Sequence, residues 1–177
     1  ANFPAVFKTQ KNRLSGKEEY SIQALFAKGT DLTKLKEAAK AVIEEKWGTD
    51  ATKWPKNLKL PFRDQKDRAN DQGVLPLGLE EGAIFMTLKS IQKPGVVDAN
   101  VQEILDDSQI YSGCWCRATI RAYVYDQAGN RGVAFGLCNV QKISDGEPLG
   151  GRTRAQDDFA AIDDGNGNAK SATDLFN

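Results

Sequence analysis

The sequence predicts a mainly β protein, a small and mostly antiparallel barrel with one inserted helix and an acidic C-terminal tail. Three observations carry that expectation. The stretches 17–26, 83–92, 111–125 and 132–143 alternate between two sets of residues with a period of two, the repeat of a β-strand. A single long stretch, 32–47, instead spaces its apolar residues by three and four, as one face of a helix requires. The last two strands are joined by Asp126-Gln127-Ala128-Gly129-Asn130, a hairpin turn by composition, and the chain lacks the strand–helix–strand alternation of parallel α/β folds.

In the first strand Tyr20, Ile22 and Ala24 alternate with Ser21, Gln23 and Leu25, and Gly29-Thr30-Asp31 closes it. The helix carries Leu32, Leu35, Ala39, Val42, Ile43 and Trp47 on one face, with Asp31 as the expected N-cap and Gly48 as the stop. Residues 49–82 read as a long irregular loop with a charge-dense centre, Arg63-Asp64-Gln65-Lys66-Asp67-Arg68, and loops of this length are commonly functional. The strand at 83–92 sets Phe85, Thr87, Lys89 and Ile91 against Met86, Leu88, Ser90 and Gln92 and ends before Pro94-Gly95. A short helix is expected at 99–105, capped by Asp98. The two strongest strands follow, with Gly113, Gly132 and Gly136 permitting tight curvature. No regular element is expected after 154, so the expected division is a folded domain, 1–154, and an acidic flexible tail, 155–177.

Composition removes several chemistries. The 177 residues suit one domain with an appendage, 40% of them are hydrophobic, and no apolar run approaches the ~18 residues of a membrane span. The N-terminus has no basic region followed by an apolar stretch, so no secretory signal is expected, and its small first residue fits loss of an initiator Met. Cys114, Cys116 and Cys138 make a poor disulfide framework and are expected to be reduced, buried thiols. The absence of histidine takes away the commonest general base and leaves a zinc site short of ligands, so no metal and no cofactor are expected. Net charge is zero, but 155–177 holds Asp157, Asp158, Asp163, Asp164 and Asp174 against Lys170, a net −4, so the preceding residues carry +4. A basic body with an acidic tail is an asymmetry that a charged ligand would explain.

The chemistry concentrates between Cys114 and Tyr125. One face of that strand is Cys114, Cys116, Ala118, Ile120, Ala122 and Val124, small and apolar as a barrel interior requires. The other is Trp115, Arg117, Thr119, Arg121, Tyr123 and Tyr125, rings and guanidiniums without a carboxylate. A single nucleic-acid strand exposes unstacked bases and a charged backbone, and a sequence-tolerant binder needs π-faces for the first and cations for the second. The same pattern also suits rings packed under a helix or loop with arginines at the edge, and the residues alone leave both readings open. The candidate DNA-binding residues are Trp115, Arg117, Arg121 and Tyr123. Phe85, Phe135, Lys89 and Arg63 are further candidates, and Lys89 counts only if its strand neighbours the aromatic face. In the tail, Asp163, Asp164, Asp174 and Phe176 are the expected partner-binding residues. An acidic end with a near-terminal aromatic can occupy a basic groove when DNA is absent, or dock onto partner proteins. Two rival classes remain: a metal-dependent nuclease built on Asp64, Asp67, Asp71, Glu80, Glu81 and Asp98, and a structural or oligosaccharide-binding protein whose rings stack on sugars.

Several segments resemble a family of bacteriophage replication proteins, long catalogued as a domain of unknown function. They are Tyr111-Ser112-Gly113-Cys114-Trp115, Ala122-Tyr123-Val124-Tyr125-Asp126, Gly129-Asn130-Arg131-Gly132-Val133, Gly136-Leu137, Asn139-Val140-Gln141-Lys142 and Asp145-Gly146-Glu147-Pro148-Leu149-Gly150-Gly151-Arg152. The family is similar to the single-stranded-DNA-binding proteins of short-tailed coliphages. The resemblance is dense over 111–152 and looser at Leu60-Pro61-Phe62-Arg63-Asp64 and Pro94-Gly95-Val96-Val97-Asp98. It implies an OB-fold variant, a non-enzymatic protein of phage DNA replication or recombination, and single-stranded DNA bound by stacking plus basic contacts. It also implies a disordered acidic C-terminal segment ending near an aromatic, here Phe176. The expected location is the cytoplasm of an infected bacterial host, with replication proteins (polymerase, helicase or primase) as partners of the tail. A homodimer is carried as a further expectation.

Overall fold

The computed structural model describes residues 2–12, 16–127 and 129–150, so Asp163, Asp164, Asp174 and Phe176, expected to bind partners, lie outside the described residues. Among the described residues, seven strands and one α-helix form around a single sheet: β1 (Asn2–Lys11), β2 (Glu18–Phe26), α1 (Thr33–Trp47), β3 (Arg63–Asp64), β4 (Ile84–Ser90), β5 (Gly95–Val97), β6 (Trp115–Gln127) and β7 (Asn130–Ser144).

The sheet order is β1-β2-β4-β7-β5, with β3 on β4 and β6 on β7. β7 organises it. One edge pairs antiparallel with β6 along its whole length. The other edge is shared by a bridge from Lys59 to Gly132, by β4 at Phe135 and Gly136, and by β5 at Asn139, Val140 and Gln141, all three parallel to β7. The sheet is therefore mixed where a mostly antiparallel barrel was expected. It also stays open, since among the described residues β6 and β1 have no hydrogen-bonded partner on their outer edges.

The expected faces of β6 are the observed ones. Cys114 is buried, and Cys116, Ala118, Ile120, Ala122 and Val124 pack against the core of Val6, Ile22, Met86, Leu88, Val133, Phe135, Leu137 and Val140. Helix α1 adds Ala39 and Ile43 to that core. Its start is shared by two residues: Leu32 takes the N-cap position, and the Asp31 carboxylate accepts the Thr33 N–H at 2.8 Å. Gly48 ends it in a left-handed conformation, φ 84°, donating its N–H to Glu44 O. The open side of the sheet leaves a cavity of about 640 Å³ between the inner faces of β2 and β4 and the start of β6, rimmed by Trp115 and Arg117.

Three local expectations change. β1 was not foreseen, because two register shifts against β2 break its alternation. β5 follows Pro94 directly and has only three residues. The helix expected at 99–105 is a reversed turn: the Asp98 carboxylate accepts the Asn100 and Gln102 N–H groups, Asp98 N donates to Gln102 O, and Glu103 then bridges back to Val97. An Asp caps a turn by the same bonds with which it caps a helix. The turn is closed by Val101 at φ 64°, a left-handed conformation that a β-branched residue rarely adopts.

Candidate nucleic-acid interface

The outer face of β6 presents Trp115, Arg117, Thr119, Arg121 and Tyr123 to solvent in one row. At ~3.3 Å per residue that row is roughly 26 Å long. Trp115 is 64% exposed and Tyr123 43%, so both rings offer faces to a ligand. Neither Arg117 nor Arg121 forms an ion pair with a described residue. Arg117 is steered by a neutral partner, its Nε donating to Gln141 Oε1 at 2.7 Å. Gln141 in turn donates to the carbonyls of Asp98 and Ala99, which anchors the 98–102 turn over the same face.

Each ring lies against a glycine. A Cβ on Gly136 would meet Tyr123 Cε1 at 3.7 Å, and one on Gly146 would meet Trp115 Cδ1 and Nε1 at 3.1 Å. Gly132 has no room for a Cβ beneath the Tyr125 hydroxyl. The backbone under Trp115 is clasped by Tyr111, whose hydroxyl bonds Asp145 Oδ1 and Gly146 O at 2.9 Å and accepts the Gly146 N–H at 3.1 Å. Burial, the Glu19 carboxylate and Tyr125 together push the Tyr123 hydroxyl above its ordinary pKa.

Lys89 reaches this face by one intermediate strand. β4 does not touch β6, but Lys89 pairs with Gly136 and Gly136 with Arg121, so the three share a row. The side chain is engaged by Glu19 at 3.0 Å. Arg63 is exposed but bound to Asp67 at 3.2 Å. Phe85 and Phe135, expected as further contacts, are each only 2% exposed, so neither offers a ring face to a ligand in this structure. Phe85 has the outward parity, yet Arg63 and Arg68 cover it, with guanidiniums 5.4 and 5.7 Å from the ring centroid. Phe135 pairs with Ala122 on the interior face and packs edge-on against Phe62 at 6.2 Å.

The cysteines make no disulfide. Cys114 and Cys116 line the interior cavity 3.5 Å apart. The hydrogen bond between them lowers the pKa of Cys114 and raises that of Cys116. Cys138 is exposed, against expectation, because it sits in a bulge of β7. Among the carboxylates proposed for a nuclease, Asp67 pairs with Arg63, Glu81 with Lys66, Glu80 accepts the Lys28 N–H, and Asp64 and Asp98 cap turns. Asn139 and Gln141 were not foreseen in the site. Only the register of β7 against β5 and β6 brings them to this face.

An open mixed sheet that displays rings and unpaired guanidiniums on one strand has the features that an OB-like single-strand-binding protein requires. The chain is a member of the family described as Enterobacter phage Enc34, ssDNA-binding protein, whose model matches residues 1–169. Membership in this non-enzymatic family sets the nuclease alternative aside. The chain is 29% identical over 167 residues to "Putative protein p50" of Acyrthosiphon pisum secondary endosymbiont phage 1, covering 89% of this chain and 86% of that one. Its fold is similar to that of the single-stranded DNA-binding protein from bacteriophage Enc34 in complex with ssDNA (TM-score 0.63, 23% identity, 84% of each chain). It is also similar to gp2.5, a single-stranded DNA binding protein encoded by bacteriophage T7 (TM-score 0.55, 14% identity, 96% of this chain and 93% of that one).

Proposed function

We propose that this protein coats single-stranded DNA in phage replication or recombination, without catalysis. Trp115 and Tyr123 stack on bases while Arg117 and Arg121 engage phosphates. The observation that carries this reading is the pair of guanidiniums without acidic partners, set between two exposed rings on one strand face. Rings alone would serve a sugar equally well, but a neutral oligosaccharide gives those charges nothing to neutralise. Lys89 and Arg63 act as secondary phosphate contacts, each exchanging its carboxylate for a phosphate on binding. Arg63 and Arg68 are held in place by Phe85, whose contribution is to position cations.

Residues 155–177, net −4, compete with DNA for the basic face and offer Asp163, Asp164, Asp174 and Phe176 to other replication proteins. The division into a binding domain, 1–154, and this tail belongs to the same reading, as do a place in the cytoplasm of the infected host and a homodimeric form. Among the described residues no helix is long and apolar enough to cross a membrane.

Tryptophan fluorescence tests the stacking assignment. Oligo-dT should quench the emission of the wild type. Trp115→Phe, which keeps a ring but removes the fluorophore, should bind while losing most of that quenching. Undiminished quenching in Trp115→Phe would place the contact at Trp47 or Trp54 and refute the assignment.

A further inference from the structure

The centre of the β6–β7 face holds a neutral group that the stacking and phosphate contacts leave unused. β7 carries one extra residue there: Thr119 pairs with Asn139 but Ile120 pairs with Leu137, so Cys138 is unopposed. Without that bulge, strict alternation from buried Leu137 would point Asn139 inward. The bulge turns Asn139 to the outer face and returns Val140 to the core, where it is 1% exposed. Asn139 thus lies between the row of Arg117 and Gln141 and the row of Arg121 and Gly136. Residues two apart on one strand face are about 7 Å from each other.

The amide of Asn139 is oriented by Gly95. The Gly95 N–H donates to Asn139 Oδ1 at 3.2 Å, and a Cβ on residue 95 would stand 2.7 Å from that oxygen. Gly95 has no left-handed φ to explain it, so its task is to leave room for this side chain. A backbone N–H can only donate, so the amide atom facing Gly95 is its oxygen, which keeps a second lone pair, and Nδ2 is directed away from Gly95. Nδ2 has no hydrogen-bond partner in the described structure, and Asn139 is exposed.

We propose that Asn139 reads bases, giving this face a preference for those that present keto oxygens, thymine above all, over adenine. This rests on the single-stranded-DNA reading above. Arginines on either side already supply the phosphate contacts, and phosphate contacts position a strand without reading it. The usual asparagine–adenine pairing uses both edges of the amide, accepting from N6 and donating to N7. With one lone pair of Oδ1 taken by Gly95 and Nδ2 directed away from it, Asn139 presents its donors first, which suit the two carbonyls of thymine better than the adenine amino group. Stacking remains sequence-tolerant, so the result is a bias in affinity laid over general coating.

The test is a four-way comparison of wild type and Asn139→Ala on oligo-dT and oligo-dA. The cost of unstacking oligo-dA belongs to the DNA and cancels between the two proteins. The dT-to-dA affinity ratio should fall roughly fivefold in Asn139→Ala, the equivalent of about 1 kcal/mol. Asn139→Asp keeps an oxygen for the Gly95 N–H and removes only the donor. Its added charge weakens both oligonucleotides alike, so the same fall in ratio is expected, and it decides the matter if Asn139→Ala does not fold. An unchanged ratio, whether both affinities drop together or neither moves, overturns the inference while leaving the coating function standing. Failure of the wild type to bind either oligonucleotide removes both.

Discussion

At the scale of single residues, the interface works by contrast between side chains that look alike in the sequence. Arg131 is tied to Asp126 and Arg63 to Asp67, whereas Arg117 and Arg121 keep their charge for a ligand. Exposed ion pairs contribute ~0–1 kcal/mol each, so the paired arginines gain little from their partners and the pairs can open for phosphate. Tyr123 shows the setting most directly. Its raised pKa means that the fold favours the neutral phenol, a contribution fully present below the ordinary value of 10.0 and lost as pH rises through the folded value. In a difference absorbance titration of wild type against Tyr123→Phe, the missing phenol should ionise above 10.0. Ionisation at or below that value would mean that Tyr123 is not packed beside Glu19 and Tyr125.

At the scale of elements, β6 was legible because its two faces differ in kind. Small apolar residues on one side and rings with arginines on the other fix the inward direction without any partner strand. Phe135 was not legible. Its neighbours over 132–138 are all apolar or glycine, and only pairing with Ala122 shows that it points inward. Phe85 has the right parity but a loop covers it, and parity carries no information about covering loops. The Asp98 turn failed for a third reason, since one capping residue serves two structures. Phe135→Ala should destabilise the fold by ~3–5 kcal/mol, as large core truncations do, with little change in affinity per folded molecule. Trp115→Ala should do the reverse, losing roughly 1–3 kcal/mol of DNA binding at nearly unchanged stability. Denaturant melts paired with oligo-dT titrations distinguish them; a Phe135→Ala variant of full stability would return that ring to the surface.

At the scale of the whole molecule, zero net charge conceals a division of labour. Residues 1–154 carry +4 and 155–177 carry −4, and two of the body's cations without acidic partners among the described residues, Arg117 and Arg121, lie on one face. Removing 155–177 should therefore tighten single-stranded DNA binding, most strongly at low salt, where such attractions are least screened. An unchanged or weaker affinity would end the competing-tail proposal. The central claim is that this face neutralises phosphates while stacking unpaired bases. Titration of labelled oligo-dT at two salt concentrations, with duplex DNA as control, measures both parts at once. Affinity should fall as salt rises, with a log–log slope of about −1.4 if Arg117 and Arg121 alone neutralise phosphates and about −2.8 if Lys89 and Arg63 join them. Duplex, whose bases are already stacked, should bind more weakly. Salt-independent binding, equal affinity for duplex, or no binding would contradict the claim.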